Sequence, residues 1–139
     1  MFEAKTIMTK VVVTVRPDTP AMEAVRLLVK NSISGLPVVD DDNKLVGIVS
    51  EKDLLKFIHD PEEKALTVSS LMTKKVICFD ENTSGVEICN CLVKNNFRRV
   101  PVLKDGRLVG VVSRRDILRK ILEMKNVNIT NTRLEGEDA

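Results

Sequence analysis

LVGIVSEKDLL, from Leu45 to Leu55, and LVGVVSRRDIL, from Leu108 to Leu118, are two versions of one stretch. Each is an apolar, largely β-branched run with a glycine inside it, then a serine, two charged residues, an aspartate and a second apolar run. That pattern predicts a short strand feeding a helix. Outward from it the repeat continues. Met8-Thr9-Lys10 matches Met72-Thr73-Lys74, Leu28-Val29-Lys30-Asn31 matches Leu92-Val93-Lys94-Asn95, and Pro37-Val38 matches Pro101-Val102, at an offset of 64. Beyond the polar turn Gly47, Ser50 and Asp53 match Gly110, Ser113 and Asp116 at 63, so one residue is lost in the second turn. The chain is two copies of one unit.

The rest of the chain fills in each unit. Val11–Val15 and Val76–Phe79 have strand composition. Thr19-Pro20 is expected to supply an N-cap and a first-turn proline for a helix with Ala21, Ala24, Val25 and Leu28 on one face. A matching helix is expected from about Ser84 to Asn95. Leu36–Val39 with Leu45–Val49, and Val100–Leu103 with Leu108–Val112, read as strand pairs around polar turns. Helices follow from Ser50 through Ile58 and from Arg114 to about Met124. The expected division is a first repeat over residues 7–60, a linker over 61–70, a second repeat over 71–124 and a polar, flexible tail over 125–139. The fold class is α/β (α+β), two β-α-β-β-α repeats packed about a pseudo-twofold axis, which leaves two equivalent clefts.

Composition narrows the function. Of 139 residues 43% are hydrophobic and 30% charged, ordinary values for a soluble domain. Twenty-two basic against 20 acidic residues leave a net charge of +2, so any anion site has to be local. No apolar run approaches the roughly 20 residues needed to span a bilayer, and the start lacks a signal-peptide core, so the expected location is cytoplasmic, without membrane contact. The three cysteines, Cys78, Cys89 and Cys91, are read as buried free thiols, with no metal site. His59 is the one histidine, and no nucleophile-base set is present, which disfavours an enzyme and leaves no catalytic residue to nominate. A nucleic-acid interface on Arg114-Arg115 and Arg119-Lys120 is weakened by the neighbouring acids and by only four Phe for base stacking.

Ser50-x-x-Asp53 and Ser113-x-x-Asp116 have two readings. A capping box accounts for both. The same geometry also offers free N–H groups to a phosphate and a carboxylate to a ribose. The glycine three residues before each serine suits close approach of another backbone or of a ligand. Arg98-Arg99 is a local basic pair, either a solvated turn or an anion contact.

GIVSEKD and GVVSRRD, with LPVVD and VPVLKDG upstream and the Met-Thr lead-ins at Met8 and Met72, resemble the paired cystathionine β-synthase (CBS) domain, or Bateman, module over about residues 7–122. The resemblance implies a regulatory, ligand-sensing module without catalysis of its own. Its clefts would hold an adenosine nucleotide (AMP first, ADP or ATP next) as regulatory ligand, with no other cofactor. The alternatives are an S-adenosylmethionine sensor and a nucleic-acid-binding or protein-interaction module. For the main cleft the resemblance nominates Thr19, Ala24, Ile33, Ser34, Gly35, Pro37, Arg98, Ser113 and Asp116, with Asp116 on the ribose and Arg98 on phosphate. For the second cleft it nominates Ser50, Asp53, Thr83 and Arg99; Ile88 and Arg99 are bulky replacements that would make it the weaker site, with a second or third phosphate as the alternative role for Arg99. A homodimer through helical faces and an unidentified target protein are the implied partners.

Overall fold

The computed structural model describes residues 2–56 and 66–125. Its elements run α1 (Ala4–Ile7), α2 (Ala21–Asn31), β1 (Gly35–Val39), β2 (Leu45–Ser50), α3 (Glu51–Leu55), α4 (Val68–Leu71), β3 (Phe79–Asp80), α5 (Gly85–Lys94), β4 (Arg99–Lys104), β5 (Arg107–Ser113) and α6 (Arg114–Met124). The strands form two sheets, β1-β2 and β3-β4-β5. Both hairpins are antiparallel, with a register shift at Val38/Val39 and again at Val102/Leu103. The mixed α and β content is as expected. His59, Ile58 and the tail from 126 lie outside the described residues.

Two first strands are shorter than their composition predicts. Val11–Val15 contributes one parallel bridge, Val15 to Val38, while Val11 is 90% exposed. Val76–Phe79 pairs only from Phe79 onward. Both runs are β-branched, but only their last residues reach a partner strand; Val76 and Ile77 line a cavity instead. The cap of α2 also differs from expectation. Pro20 takes the N-cap position with no side-chain cap, and the Thr19 hydroxyl accepts the Arg16 N–H at 2.9 Å. Ser84 does cap α5, accepting from the Val86 N–H.

The cores are exchanged between repeats. One gathers Ala24, Leu28, Leu36, Val38, Val49 and Leu54 of the first repeat, and is completed by Val68, Leu66, Leu71 and Met72 from the lead-in to the second. The other gathers Ile88, Leu92, Val100, Val102, Val112 and Ile117, and is completed by Ala4, Ile7 and Met8 from the lead-in to the first. Backbone bonds repeat the exchange: Ala4 N–H donates to the Thr83 carbonyl at 2.9 Å, and Val68 N–H to the Thr19 carbonyl at 2.8 Å. Thr9 pairs with Val111 and Thr73 with Ile48. Fully burying a residue such as Val68 is worth roughly 2 kcal/mol, so each repeat is stabilised by chain belonging to the other.

This exchange explains the two strand glycines. A Cβ on Gly110 would lie 2.7 Å from Met8 Sδ and 2.9 Å from the Thr9 carbonyl oxygen. One on Gly47 would lie 2.7 Å from Met72 Sδ and 3.0 Å from the Thr73 carbonyl oxygen. Of the two readings, close approach of another backbone is the one realised. At the far ends the hairpin turns clasp each other: Leu45 N–H donates to the Gly106 carbonyl, Leu108 N–H to the Asn43 carbonyl and Asn43 Nδ2 to the Leu108 carbonyl.

Candidate functional site

Both Ser-x-x-Asp motifs form complete capping boxes. Ser50 N–H donates to Asp53 Oδ2 at 2.9 Å and Asp53 N–H returns to Ser50 Oγ at 3.2 Å. At the second helix the corresponding distances are 2.9 and 3.1 Å. The strand delivers the serine in extended conformation and the box starts the helix, so each carboxylate is fixed where a cleft would open.

The surroundings of the two carboxylates diverge. Asp116 is buried, 6% exposed, and its Oδ1 accepts from Arg119 Nη1 at 3.2 Å and from the Thr9 hydroxyl at 3.3 Å. Asp53 is half-buried, and its only partner among the described residues is Ser50. Thr73, which occupies the place of Thr9, lines a cavity beside it.

That cavity is about 670 Å³, within the range of small-molecule sites. Ser50, Asp53, Glu51 and Lys52 come from the end of β2 and the start of α3, and Thr73, Lys75, Val76 and Ile77 from the lead-in to the second repeat. Asn96, Phe97, Arg98 and Arg99 come from the loop before β4, and Ser34, Gly35 and Pro37 from the matching loop of the first repeat. Four cations (Lys52, Lys75, Arg98, Arg99) thus face two carboxylates (Asp53, Glu51). A cavity so lined favours an anionic ligand with a hydroxyl-bearing end. A smaller cavity of about 310 Å³, lined by Ile33, Ser34, Glu51 and Arg98 among others, adjoins it through shared residues.

The grouping differs from the one read in the sequence. Ser34, Gly35, Pro37 and Arg98, nominated with Asp116, line the larger cavity together with Ser50, Asp53 and Arg99. Ser113 and Asp116 line neither cavity. Ala24 is a fully buried core residue, as is Ile88, whose side chain lies in the second core and not in the cleft. Thr19 and Thr83 serve through their carbonyls, holding the exchanged lead-ins. The cysteines are half-buried rather than buried; burial pushes the Cys78 thiol up from its ordinary value, away from nucleophilic use. Sequence reading missed Thr73, Lys75, Phe97 and Asn96. Thr73 carries a signal, since its Met-Thr-Lys triplet is repeated, but the triplet points to the duplication and the family resemblance rather than to a cavity residue.

The two matched halves agree with comparison against known proteins. The CBS domain family model matches twice, over residues 4–60 and 68–123. The chain belongs to the CBS-domain family. CBSX2 of Arabidopsis thaliana, solved in complex with AMP, superposes with a TM-score of 0.82 at 32% identity, covering 90% of this chain and 99% of that one. The CBS domain pair of protein MJ0100, solved with 5-methylthioadenosine and S-adenosyl-L-methionine, gives 0.74 at 32% identity, covering 89% and 98%. An inosine-5'-monophosphate dehydrogenase of Methanocaldococcus jannaschii is 40% identical over 119 residues, 85% of this chain. This CBS pair spans only 23% of that enzyme's length, and 49% and 59% of two further curated relatives. No described helix is long and apolar enough to cross a membrane.

Proposed function

We propose that this CBS pair is a non-catalytic sensor that binds a phosphate-bearing adenosine ligand in the cavity beside Asp53. The observation that carries the reading is the lining itself: a capped aspartate with hydrogen-bonding capacity to spare, 670 Å³ of space, and four cations at the same cavity. Asp53 would accept from the ribose hydroxyls with Thr73 beside it. Val76, Ile77 and Phe97 offer apolar surface for the base, and Arg98, Arg99 and Lys75 would face the phosphates. AMP fits this division and a second or third phosphate has cations to meet. S-adenosylmethionine, with its sulfonium and amino group, is the weaker candidate against four positive side chains. AMP in CBSX2 and adenosyl compounds in MJ0100 support the ligand class.

A homodimer is part of the proposal. Met22, Val29 and Leu55 are exposed by 46, 75 and 59%, and their repeat partners Val86, Val93 and Leu118 by 45, 76 and 58%. An apolar face displayed twice with the same symmetry suits a second copy of this chain. Ligand binding would then shift how repeats or copies pack, for a target protein to read as a change in affinity. The basic helix face has little left for nucleic acid, because Arg119 pairs with Asp116 and Lys120 lies 3.6 Å from Glu123.

Calorimetric titration of nucleotide-stripped protein with AMP, ADP, ATP and S-adenosylmethionine tests the reading. We expect saturable binding of a phosphate-bearing ligand at one per chain. Binding of none of the four would overturn it, and a preference for S-adenosylmethionine would replace the phosphate assignment.

A further inference from the structure

The phosphate-facing arginines of this reading sit where a loop meets a strand: Arg98 ends a loop outside any ladder, and Arg99 pairs with Ser113. Asn96, left-handed at φ 55°, Phe97 and Arg98 connect α5 to β4, and Arg99 opens the strand. Their anchor lies outside the cavity, at the first residue of α6. Arg114 donates its backbone N–H to the Arg98 carbonyl at 3.0 Å. Its Nε donates to the Phe97 carbonyl at 2.7 Å, and its Nη2 to Asn96 Oδ1 at 2.8 Å. One residue thereby grips three consecutive residues of the loop.

The other repeat provides an internal control. Glu51 stands where Arg114 does, and its N–H donates to the Ser34 carbonyl at 2.9 Å, so the backbone bond is shared. A carboxylate has no proton to give at neutral pH, so Glu51 cannot make the two side-chain bonds. The grip exists only where the loop carries two adjacent arginines. Arg98 and Arg99 are both exposed, share their cavity with Lys52 and Lys75, and repel one another before any anion arrives. Left to itself, such a loop would spread its charges into solvent. A rigid guanidinium fork bound to a carbonyl and an amide oxygen opposes that.

We infer that Arg114 is the positioning residue for the phosphate end of the site: it holds Asn96–Arg98 so that Arg98 and Arg99 are set before the ligand binds. This rests on the nucleotide reading above. The gain is preorganisation, since the ordering cost of the loop is met on folding instead of on binding.

The test compares Arg114→Ala, which keeps the backbone bond and an exposed helix start, with Arg114→Lys, which keeps the charge but loses the fork. In ligand-free protein, hydrogen exchange over residues 96–99 should quicken in Arg114→Ala, with other segments unchanged and Arg114→Lys between the two. The affinity for ATP relative to adenosine should fall about fivefold or more in Arg114→Ala, with adenosine binding retained. Unchanged exchange over 96–99 would overturn the inference, and so would equal losses for ATP and adenosine. Failure of the unaltered protein to bind either compound would sink the nucleotide reading separately, while the exchange data still decide whether Arg114 holds the loop.

Discussion

Asp53 and Asp116 start from the same four-residue device and end in different situations. Each caps its own helix through a serine three residues earlier, with backbone distances that agree to within 0.1 Å. Around Asp116 the protein closes: Thr9 from the exchanged lead-in and Arg119 from the next turn of α6 take up Oδ1. Around Asp53 it stays open: Thr73 lines the cavity, and Lys56, the positional partner of Arg119, makes no ion pair among the described residues. Duplication therefore supplies two copies of one capping motif, and the partners around each carboxylate, Thr9 and Arg119 at Asp116 against Ser50 alone at Asp53 among the described residues, leave one copy enclosed and the other at a cavity. The comparison predicts a double dissociation. Asp116→Ala removes a buried acceptor with three donors and should lower stability by about 2 to 3 kcal/mol while leaving nucleotide affinity nearly unchanged. Asp53→Ala should weaken nucleotide binding by about 1 to 3 kcal/mol and cost only the helix cap in stability, about 1 kcal/mol. Thermal melts and calorimetry on the two variants check this; affinity loss confined to Asp116→Ala would move the site to the other cleft.

The two strand glycines make the next comparison. Alanine at either position must push back a backbone carbonyl and a methionine sulfur, a strain of about 1 to 3 kcal/mol. Gly110→Ala meets Thr9 O at 2.9 Å and Gly47→Ala meets Thr73 O at 3.0 Å, so both should destabilise to a similar degree. Only Gly47→Ala should also disturb the ligand, because Thr73 lines the cavity. Urea titrations with and without AMP separate the two effects, and a Gly47→Ala variant that binds normally would show the lead-in carbonyl has room to move.

Much of this was legible before any coordinates. The offset of 64 falling to 63, the Ser-x-x-Asp boxes and the paired hairpins follow from local chemistry, in which each residue's role is decided by neighbours a few positions away. What was not legible depends on partners distant in sequence. Nothing around Met8 or Met72 tells that each lead-in packs on the opposite repeat; that depends on contacts with residues about 60 or more positions away, such as Ala4 and Met8 in the core of the second repeat. Ile88, matched with the small Ala24, suggests a plug for a cleft, yet both residues lie in cores. The difference between the two carboxylates involves Thr9 and Arg119 at Asp116, which the capping pattern does not include.

A smaller effect comes from Arg119 itself. Its guanidinium is 57% exposed in the side chain, so the ion pair with Asp116 is screened and worth under about 1 kcal/mol. Arg119→Ala should lower the melting temperature by a few degrees at most. The comparison with Asp53 sharpens if this variant raises the stoichiometry of nucleotide binding above one per chain, because the Asp116 carboxylate would then have been withheld by its own helix. Unchanged stoichiometry would assign the closure to Thr9 and the packing of the first lead-in.

The smallest expected effect separates the two hairpin turns. Asp40 Oδ1 accepts the N–H groups of Lys44 and Asp42, both at 2.9 Å, and these bonds, the one from Lys44 foremost, hold its carboxyl below the usual carboxylate value. The second turn has Lys104 at the matching position and closes with Asp105-Gly106, both at positive φ, so it relies on backbone conformation rather than on a carboxylate. A depressed folded-state value means that the contribution of Asp40 is present above the unfolded value of about 3.8 and is lost as pH falls through the lower folded one. Below pH about 4 the first turn should therefore exchange its amides faster than the second, although the two turns clasp each other at neutral pH. Asp40→Asn should remove that difference in pH response without changing the behaviour of residues 104–107. Equal acid sensitivity of both turns in the unaltered protein would mean that the clasp between Leu45 and Gly106, and not the Asp40 carboxylate, governs how this end of the molecule opens.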